Sequence, residues 1–188
     1  MQLFEYYYEN IIKYDMLNKF KYKDIQHFPK IQKIIVSFNC KNSDFKQLFS
    51  SLIALELITS QKPTIIKSRI SNISFKIRKG NPAGCKITLR KTGMYVFFAK
   101  ILLQLFSDKK LLKNLDKQKY KTNTKSMIFE LNKILFFPEL ENQYQFFNRL
   151  SRLHIVIVTN SKNFNELKFL LKSFKFLLKC KYNSIGRV

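Results

Sequence analysis

Acidic side chains are absent from residues 57 to 107 of this 188-residue chain. A solvated protein surface normally mixes both signs of charge, because like charges repel one another when no partner neutralises them. The one-signed interval therefore favours a surface that binds a polyanion, and a net charge of +23 makes RNA the leading candidate. The basic residues of the interval are Lys62, Lys67, Arg69, Lys76, Arg78, Lys79, Lys86, Arg90, Lys91 and Lys100.

Cysteine is scarce, and its spacing suggests neither cross-links nor a metal site. The three cysteines are Cys40, Cys85 and Cys180, which are far apart and include no C-x-x-C pair. An odd number at this spacing argues against a disulfide framework and against a zinc site. We interpret them as reduced structural thiols and expect no metal and no cofactor.

The usual sequence patterns of catalysis are also missing. The chain has only four glycines, no Gly-rich phosphate loop and no H-E-x-x-H motif, and its two histidines, His27 and His154, are isolated from each other. Glu139 and Glu141 follow Pro138 at a spacing more typical of exposed loop charges than of a carboxylate pair. We therefore expect no enzymatic activity, although a basic RNA-processing or RNA-chaperone protein stays open as the alternative.

No apolar run is long enough for a bilayer span, which needs about 20 residues. The most apolar run, residues 94 to 106, is interrupted by Lys100 and is typical of a buried helix. The N-terminal residues include Glu5 and Glu9 and no arginine, which fits neither a signal peptide nor a transit peptide. Abundant Lys, Ile, Asn and Tyr, all with AT-rich codons, point to a compact AT-rich genome of an organelle or endosymbiont.

Apolar side chains at three-and-four spacing predict four helices. The first covers residues 3 to 20, and Asn163 with Glu166 forms a capping box that opens the last. The apolar positions of the four helices are Leu3, Tyr7, Ile11 and Tyr14; Phe45, Leu48, Phe49, Leu52 and Leu55; Met94, Phe97, Phe98, Ile101, Leu102 and Leu105; and Phe164, Leu167, Leu171 and Phe174.

Strand character is found over residues 31 to 38, 127 to 137 and 153 to 159. Residues 73 to 79 and 85 to 90 alternate apolar with polar or basic side chains, which predicts a hairpin whose open face is basic. The loop of this hairpin would be Gly80 to Gly84, because those five residues are rich in turn formers.

The order of these elements predicts an α+β fold, in which helices pack on one face of a mostly antiparallel sheet and the open face is basic. We expect a single domain over residues 1 to 188. Residues 108 to 126 are dense in lysine and poor in apolar side chains, so they predict an inserted segment within that domain.

Three short motifs give the chain a specific resemblance. Ser60-Gln61-Lys62-Pro63, the segment from Phe75 to Gly80 and the segment from Gly84 to Arg90 closely resemble the bacterial-type L-five family of large-subunit ribosomal proteins. The likeness extends to residues 29 to 34, to Met94, to residues 137 to 139 and to the strand ending at Thr159, so it covers nearly the full length in the right order.

The resemblance implies RNA contacts at particular positions. Gln61 and Thr88 match family positions that hydrogen-bond 5S ribosomal RNA, and Ser37 stands where the family normally has asparagine. Since serine is shorter and lacks the paired donor and acceptor of an amide, we expect that contact to be weaker. The basic residues expected to contact RNA around these positions are Lys62, Lys67, Arg69, Lys76, Arg78, Lys86 and Arg90.

The family also implies a set of partners. Besides 5S RNA, it contacts large-subunit ribosomal RNA, the small-subunit head protein of the S-thirteen family, neighbouring central-protuberance proteins and peptidyl-site transfer RNA. The loop expected to face the transfer RNA contains Lys79, Gly80, Asn81, Pro82, Ala83 and Gly84. The resemblance and the composition favour a mitochondrial ribosome as the location, with a plastid or an AT-rich bacterial cytoplasm as alternatives.

Overall fold

The computed structural model of the protein describes residues 3–22, 24, 27–40, 45–71, 73, 77–107, 121–132, 134–135, 137–148 and 150–176. Most of the lysine-dense segment 108 to 126, together with Lys76 and Cys180, therefore lies outside the described residues.

Six strands form one sheet in the order β2-β3-β1-β6-β5-β4. The hairpins β2 with β3 and β4 with β5 are antiparallel. The pairs β1 with β3, β6 with β5 and β6 with β1 are also antiparallel, because in each pair a backbone hydrogen bond joins the end of one strand to the start of its neighbour. These bonds are Cys40 N to Ala83 O at 2.9 Å, Thr159 N to Lys125 O at 2.8 Å and Asn160 N to Lys30 O at 3.0 Å. The strands are β1 (Ile31–Asn39), β2 (Thr64–Lys67), β3 (Pro82–Leu89), β4 (Lys121–Thr122), β5 (Ser126–Leu131) and β6 (Leu153–Thr159).

Helices pack against this sheet, so the predicted α+β class is confirmed. The N-terminal helix consists of α1 (Leu3–Tyr7), a π-helical turn (Tyr8–Ile12) and α2 (Lys13–Lys19), which follow one another with helical backbone angles at both junctions. The remaining helices are α3 (Phe45–Thr59), α4 (Lys91–Ser107), α5 (Pro138–Glu141), α6 (Tyr144–Phe147) and α7 (Phe164–Ser173).

The chain divides into two compact units. The first contains residues 1–34, 90–129 and 156–188, and aromatic rings dominate it: Phe98 lies 5.3 Å from Phe174 and 6.2 Å from Phe176, measured between ring centroids. The second contains residues 35–89 and 130–155, and in it α3 packs on β3.

Several predicted elements are confirmed in detail. The capping box of Asn163 and Glu166 opens α7, whose Leu167 and Leu171 are buried. The predicted apolar positions of α4 from Met94 to Leu102 are buried as well. The strand predicted over residues 127 to 137 is shorter, since β5 ends at Leu131.

The predicted hairpin between residues 73–79 and 85–90 is wrong in its pairing. Both sides of β3 are occupied, by β2 and by β1, and the antiparallel partner along the chain is β2. Of the predicted strand, Ile73 lies in a turn and Ile77 forms an isolated bridge, while residues 74 to 76 lie outside the described residues. Alternation shows which face a side chain takes, but it carries no information on which distant segment pairs with it.

The predicted loop from Gly80 to Gly84 is corrected as well. Pro82, Ala83 and Gly84 belong to β3, and the connection between β2 and β3 is closed by hydrogen bonds between residues 68 and 80–81. Ser68 N donates to Asn81 O at 2.8 Å, and Gly80 N donates to Ser68 O at 2.9 Å. Proline can occupy the first position of a strand, so the turn-forming composition did not exclude strand structure here.

The N-terminal helix forms where predicted, but it buries a different face. Tyr8, Ile12 and Met16 are buried, whereas Leu3 and Tyr14 of the predicted apolar face are 77% and 59% exposed. Both sets of positions have helical spacing, so periodicity alone could not choose between them.

Candidate RNA-binding surface

Strand β3 has one buried face and one accessible face. Cys85, Ile87 and Leu89 are buried, while Lys86 is exposed and Thr88 is half-buried on the other face, as the alternation predicts. Burial raises the pKa of the Cys85 thiol to about 12, so it stays protonated as an apolar core group at neutral pH. Arg90 follows the strand directly and is exposed.

The turn before β2 presents Gln61 and Lys62. Helix α3 ends where Ser60 takes a positive φ of 56°, and Ser60 N donates to Glu56 O at 2.7 Å. This left-handed residue ends the helix in the manner of a C-terminal cap and redirects the chain towards β2. Gln61 and Lys62 are both exposed in the resulting turn.

Strand β2 lies in register beside the predicted contacts of β3. Thr64 is paired with Lys86, and Thr64 Oγ1 donates to Lys86 O at 3.1 Å. Lys67 ends β2 and is exposed. The sheet therefore brings Lys67 and Lys86 onto adjacent strands, although 18 residues separate them in the chain.

The described residues between β2 and β3 include several basic side chains. Arg69, Arg78 and Lys79 are all exposed, and Gly80 has a φ of +89°, a backbone angle that favours glycine. Lys76, also predicted to contact RNA, lies outside the described residues. Of the segment predicted to face transfer RNA, Lys79 and Gly80 are exposed, Asn81, Pro82 and Ala83 are half-buried, and Gly84 is buried.

Ser37 lies on β1, the neighbour of β3 in the sheet. It is half-buried and alternates with the buried Val36 and Phe38, so it faces the same side as Lys86 and Thr88. The structure therefore places a serine hydroxyl and a threonine hydroxyl on one face with a lysine.

Carboxylates pair with cations in other parts of the molecule. Among the described residues, Lys13 pairs with Glu9 and Arg152 pairs with Glu130, while ring nitrogens of His27 and His154 lie 3.1 Å from Asp24 and 3.3 Å from Glu130. None of them uses a basic residue of the segment from Lys62 to Arg90. The described cations of that segment therefore form none of these contacts with carboxylates.

Sequence reasoning missed two features of this surface. One is Thr64, whose hydroxyl bonds to the backbone of Lys86. The other is a set of exposed isoleucines, Ile65, Ile70 and Ile73, with exposures of 50%, 79% and 95%. An apolar residue in a strand-like pattern is normally interpreted as core, so only the structure could identify them as accessible.

Within the described ranges, no group of three or more His, Cys, Asp and Glu side chains is arranged to hold a metal ion. Among the same residues, no helix combines the length and apolar content that crossing a membrane requires.

Comparison with known proteins gives one consistent result. The family model for the C-terminus of the ribosomal L-five family matches residues 82–178. The large ribosomal subunit protein uL5m of Reclinomonas americana is 40% identical over 177 residues, which cover 92% of this chain and 95% of the relative. The uL5 protein of Wigglesworthia glossinidia brevipalpis is 34% identical over 178 residues, which cover 94% of this chain and 98% of the relative. The uL5 protein of Nitrosomonas europaea is 30% identical over 180 residues, which cover 95% of this chain and 98% of the relative.

Proposed function

The chain belongs to the ribosomal L-five family, and from that premise we propose that it binds 5S ribosomal RNA in the central protuberance of the large ribosomal subunit. As a member of that family it is a structural, non-enzymatic constituent of the large subunit. One observation carries the proposal: the charged side chains of β2, β3 and the loop between them are all cationic, and no carboxylate occurs from residue 57 to residue 107.

The recognition divides into two kinds of contact. Lys67, Lys86 and Arg90 supply charge for phosphate groups, which positions the RNA without reading its sequence. Gln61 and Thr88 supply neutral donors and acceptors, which suit 2′-hydroxyl groups and base edges. Ser37 adds a shorter hydroxyl on the same sheet face as Thr88 and contributes less than the amide that usually stands there.

The proposal is tested by identifying the RNA that the full-length protein selects. Total RNA from large ribosomal subunits would be incubated with the protein at moderate salt, and the retained RNA would be sequenced. We expect enrichment of the 5S species over fragments of large-subunit ribosomal RNA. Retention in proportion to abundance would contradict specific recognition and leave only charge attraction.

Thr88→Val is expected to weaken 5S RNA binding with little change in stability. The substitution keeps the β-branched shape and removes a hydroxyl, which costs about 1–3 kcal/mol where a polar group on the RNA is left unpaired. This corresponds to a rise in Kd of about 5-fold to 150-fold. Filter binding would measure the change, and thermal melting would verify the fold.

Thr64→Val is the matched control for this experiment. Its hydroxyl already donates to Lys86 O, so its loss should alter RNA affinity by less than about twofold. Equal weakening by both variants, or an equal loss of affinity of Thr88→Val for an unrelated duplex RNA, would contradict a specific contact at Thr88.

We further propose that the predicted segment from Lys79 to Gly84 reaches peptidyl-site transfer RNA through the part that precedes β3, Lys79 to Asn81. The support is the family resemblance together with the position of Lys79 and Gly80, which are exposed beyond the paired part of the hairpin. A tip with a small residue at a positive φ lets backbone approach an RNA surface closely.

Lys79→Ser and Lys67→Ser are expected to weaken contacts with different RNAs. Lys79→Ser should leave 5S RNA affinity within about twofold but accelerate transfer RNA dissociation from ribosomes severalfold, because one phosphate contact is lost at the tip. Lys67→Ser, in the paired strand, should weaken 5S RNA binding and leave transfer RNA dissociation unchanged. The same response from both variants would contradict the division of the surface.

Location and remaining partners complete the proposal. The identity of 40% to a mitochondrial relative, against 34% and 30% to two bacterial ones, favours a mitochondrial ribosome. In that assembly the family contacts with large-subunit ribosomal RNA and with the small-subunit head protein of the S-thirteen family would be retained.

A further inference from the structure

The N-terminal helix has apolar side chains on two opposite sides. Its inner side is anchored: Tyr8 is stacked on Phe174 at 6.4 Å between ring centroids, and the Tyr8 hydroxyl donates to Pro29 O at 3.1 Å. Ile12 and Met16 continue this side and have no exposed surface.

Five large apolar side chains lie on the other side and are open to solvent. Their spacing along the helix places them roughly opposite the inner side. We call them the outer stripe: Leu3 (77% exposed), Tyr6 (58%), Ile11 (44%), Tyr14 (59%) and Leu17 (44%). A helix with large apolar side chains on two opposite sides is typical of an element covered on both sides, and the described residues cover only one.

The charges of this helix differ from those of the rest of the chain. Residues 3–19 contain three carboxylates, on Glu5, Glu9 and Asp15, against two lysines, which gives a net charge of −1 where the whole chain has +23. Both lysines have partners within the molecule. Lys13 Nζ lies 3.4 Å from Glu9 Oε2, and Lys19 Nζ lies 4.3 Å from the centroid of the Phe169 ring.

These charges favour a protein partner for the outer stripe over RNA or a second copy of the chain. RNA is disfavoured, because the helix has a net negative charge and both of its lysines already have partners. A second copy is disfavoured as well, since a two-fold contact would bring the same carboxylates together between two strongly cationic molecules. A protein helix with an apolar face and basic flanks complements the apolar stripe and the carboxylates of Glu5 and Asp15, since Glu9 already pairs with Lys13.

We propose that the outer stripe docks an amphipathic helix of a neighbouring protein, whose apolar face is flanked by lysine or arginine. The proposal is independent of RNA binding by β2 and β3, because it concerns a different element with the opposite local charge. Side chains at three-and-four spacing would insert between those of the partner helix, as in other helix contacts.

Two synthetic helical peptides of about 20 residues test the proposal on the full-length protein. Both carry the same leucine face, flanked by lysine in one and by glutamate in the other. Fluorescence anisotropy at about 0.15 M salt should show the lysine peptide binding at least about tenfold more tightly. The net charge of the protein by itself would favour the glutamate peptide, so the expected order reports the local surface.

Tyr14→Asn combined with Leu17→Gln should weaken binding of the lysine peptide by about tenfold, because two apolar anchors are lost. Tyr144→Asn with Leu57→Gln is the matched control, since those side chains are 58% and 40% exposed on other helices. The control should change binding by less than about twofold, and both double variants should melt at the wild-type temperature.

Three results would overturn the proposal. The first is equal peptide affinity for the wild type and for the Tyr14 and Leu17 variant. The second is a loss of 5S RNA affinity in that variant, which would assign the stripe to RNA. The third is a wild-type dimer in sedimentation that the variant abolishes, which would assign it to a second copy. Loss of RNA selectivity without a change in peptide binding would count only against the function proposed for β2 and β3.

Discussion

Affinity for a 5S-type RNA is expected to fall by about 10³-fold between about 50 and 200 mM salt. Six exposed basic side chains can contact phosphates in the described part of the surface, and each contact releases condensed counterions when it forms. A logarithmic slope of about −5 follows for six contacts. Filter binding over a salt series would measure it. The six are Lys62, Lys67, Arg69, Arg78, Lys86 and Arg90.

The position of the charges, as well as their number, should determine this slope. Lys67→Gln with Lys86→Gln removes two cations from the adjacent strands β2 and β3 and should reduce the slope by about two. Lys168→Gln with Lys172→Gln removes the same charge from exposed positions on α7 and should leave the slope unchanged. A flat salt response of the wild type, or equal effects of the two pairs, would contradict a localised electrostatic surface.

Local patterns predicted local geometry well. The alternation from Cys85 to Arg90 gave the correct faces of β3, because neighbouring side chains in any strand point to opposite sides. The apolar spacing in α4 and the capping box of α7 were predicted correctly as well. Each of these features depends on residues within about two helical turns of one another.

Pairing and burial could not be predicted in this way. The partner of β3 proved to be β2, although residues 73 to 79 had the stronger alternation. The N-terminal helix buries Tyr8, Ile12 and Met16, although Leu3, Ile11 and Tyr14 had equally good helical spacing. Both outcomes depend on which distant segments pack together, which a local period does not encode.

For the candidate surface, too, single residues could be predicted from the sequence and their spatial arrangement could not. Charge and resemblance selected Gln61, Lys67, Lys86 and Thr88, and the structure leaves all four at least partly accessible. The sequence did not indicate that Lys67 and Lys86 lie on adjacent strands. Nor did periodicity identify the close approach of β3 to β1 at Gly84, although an isolated glycine in a strand pattern is a recognised sign of such an approach.

Gly84→Ala is expected to lower the free energy of unfolding by about 3 kcal/mol, at the upper end of the usual cost of overpacking. Gly84 lies in β3, opposite Ile66 of β2 and against β1 on its other side. A Cβ atom here would overlap the backbone carbonyl oxygen of Phe38 and would lie 3.2 Å from the Cα atom of Asn39. Backbone atoms cannot rotate away as a flexible side chain can, so β1 and β3 would have to separate.

Gly93→Ala provides the matched control, because a Cβ added at Gly93 meets nothing within 4 Å. Gly93 lies in α4, where alanine is favoured over glycine by up to about 1 kcal/mol, so this variant should be unchanged or slightly more stable. Urea titration of both variants would give the two free energies from the midpoints, provided that the slopes agree. An unchanged midpoint for Gly84→Ala would contradict the close approach of the two strands. β1 and β3 carry Ser37 and Thr88 on one face, so separating these strands should also weaken RNA binding. Gly84→Ala should therefore lower both stability and RNA affinity, whereas Thr88→Val should lower RNA affinity alone.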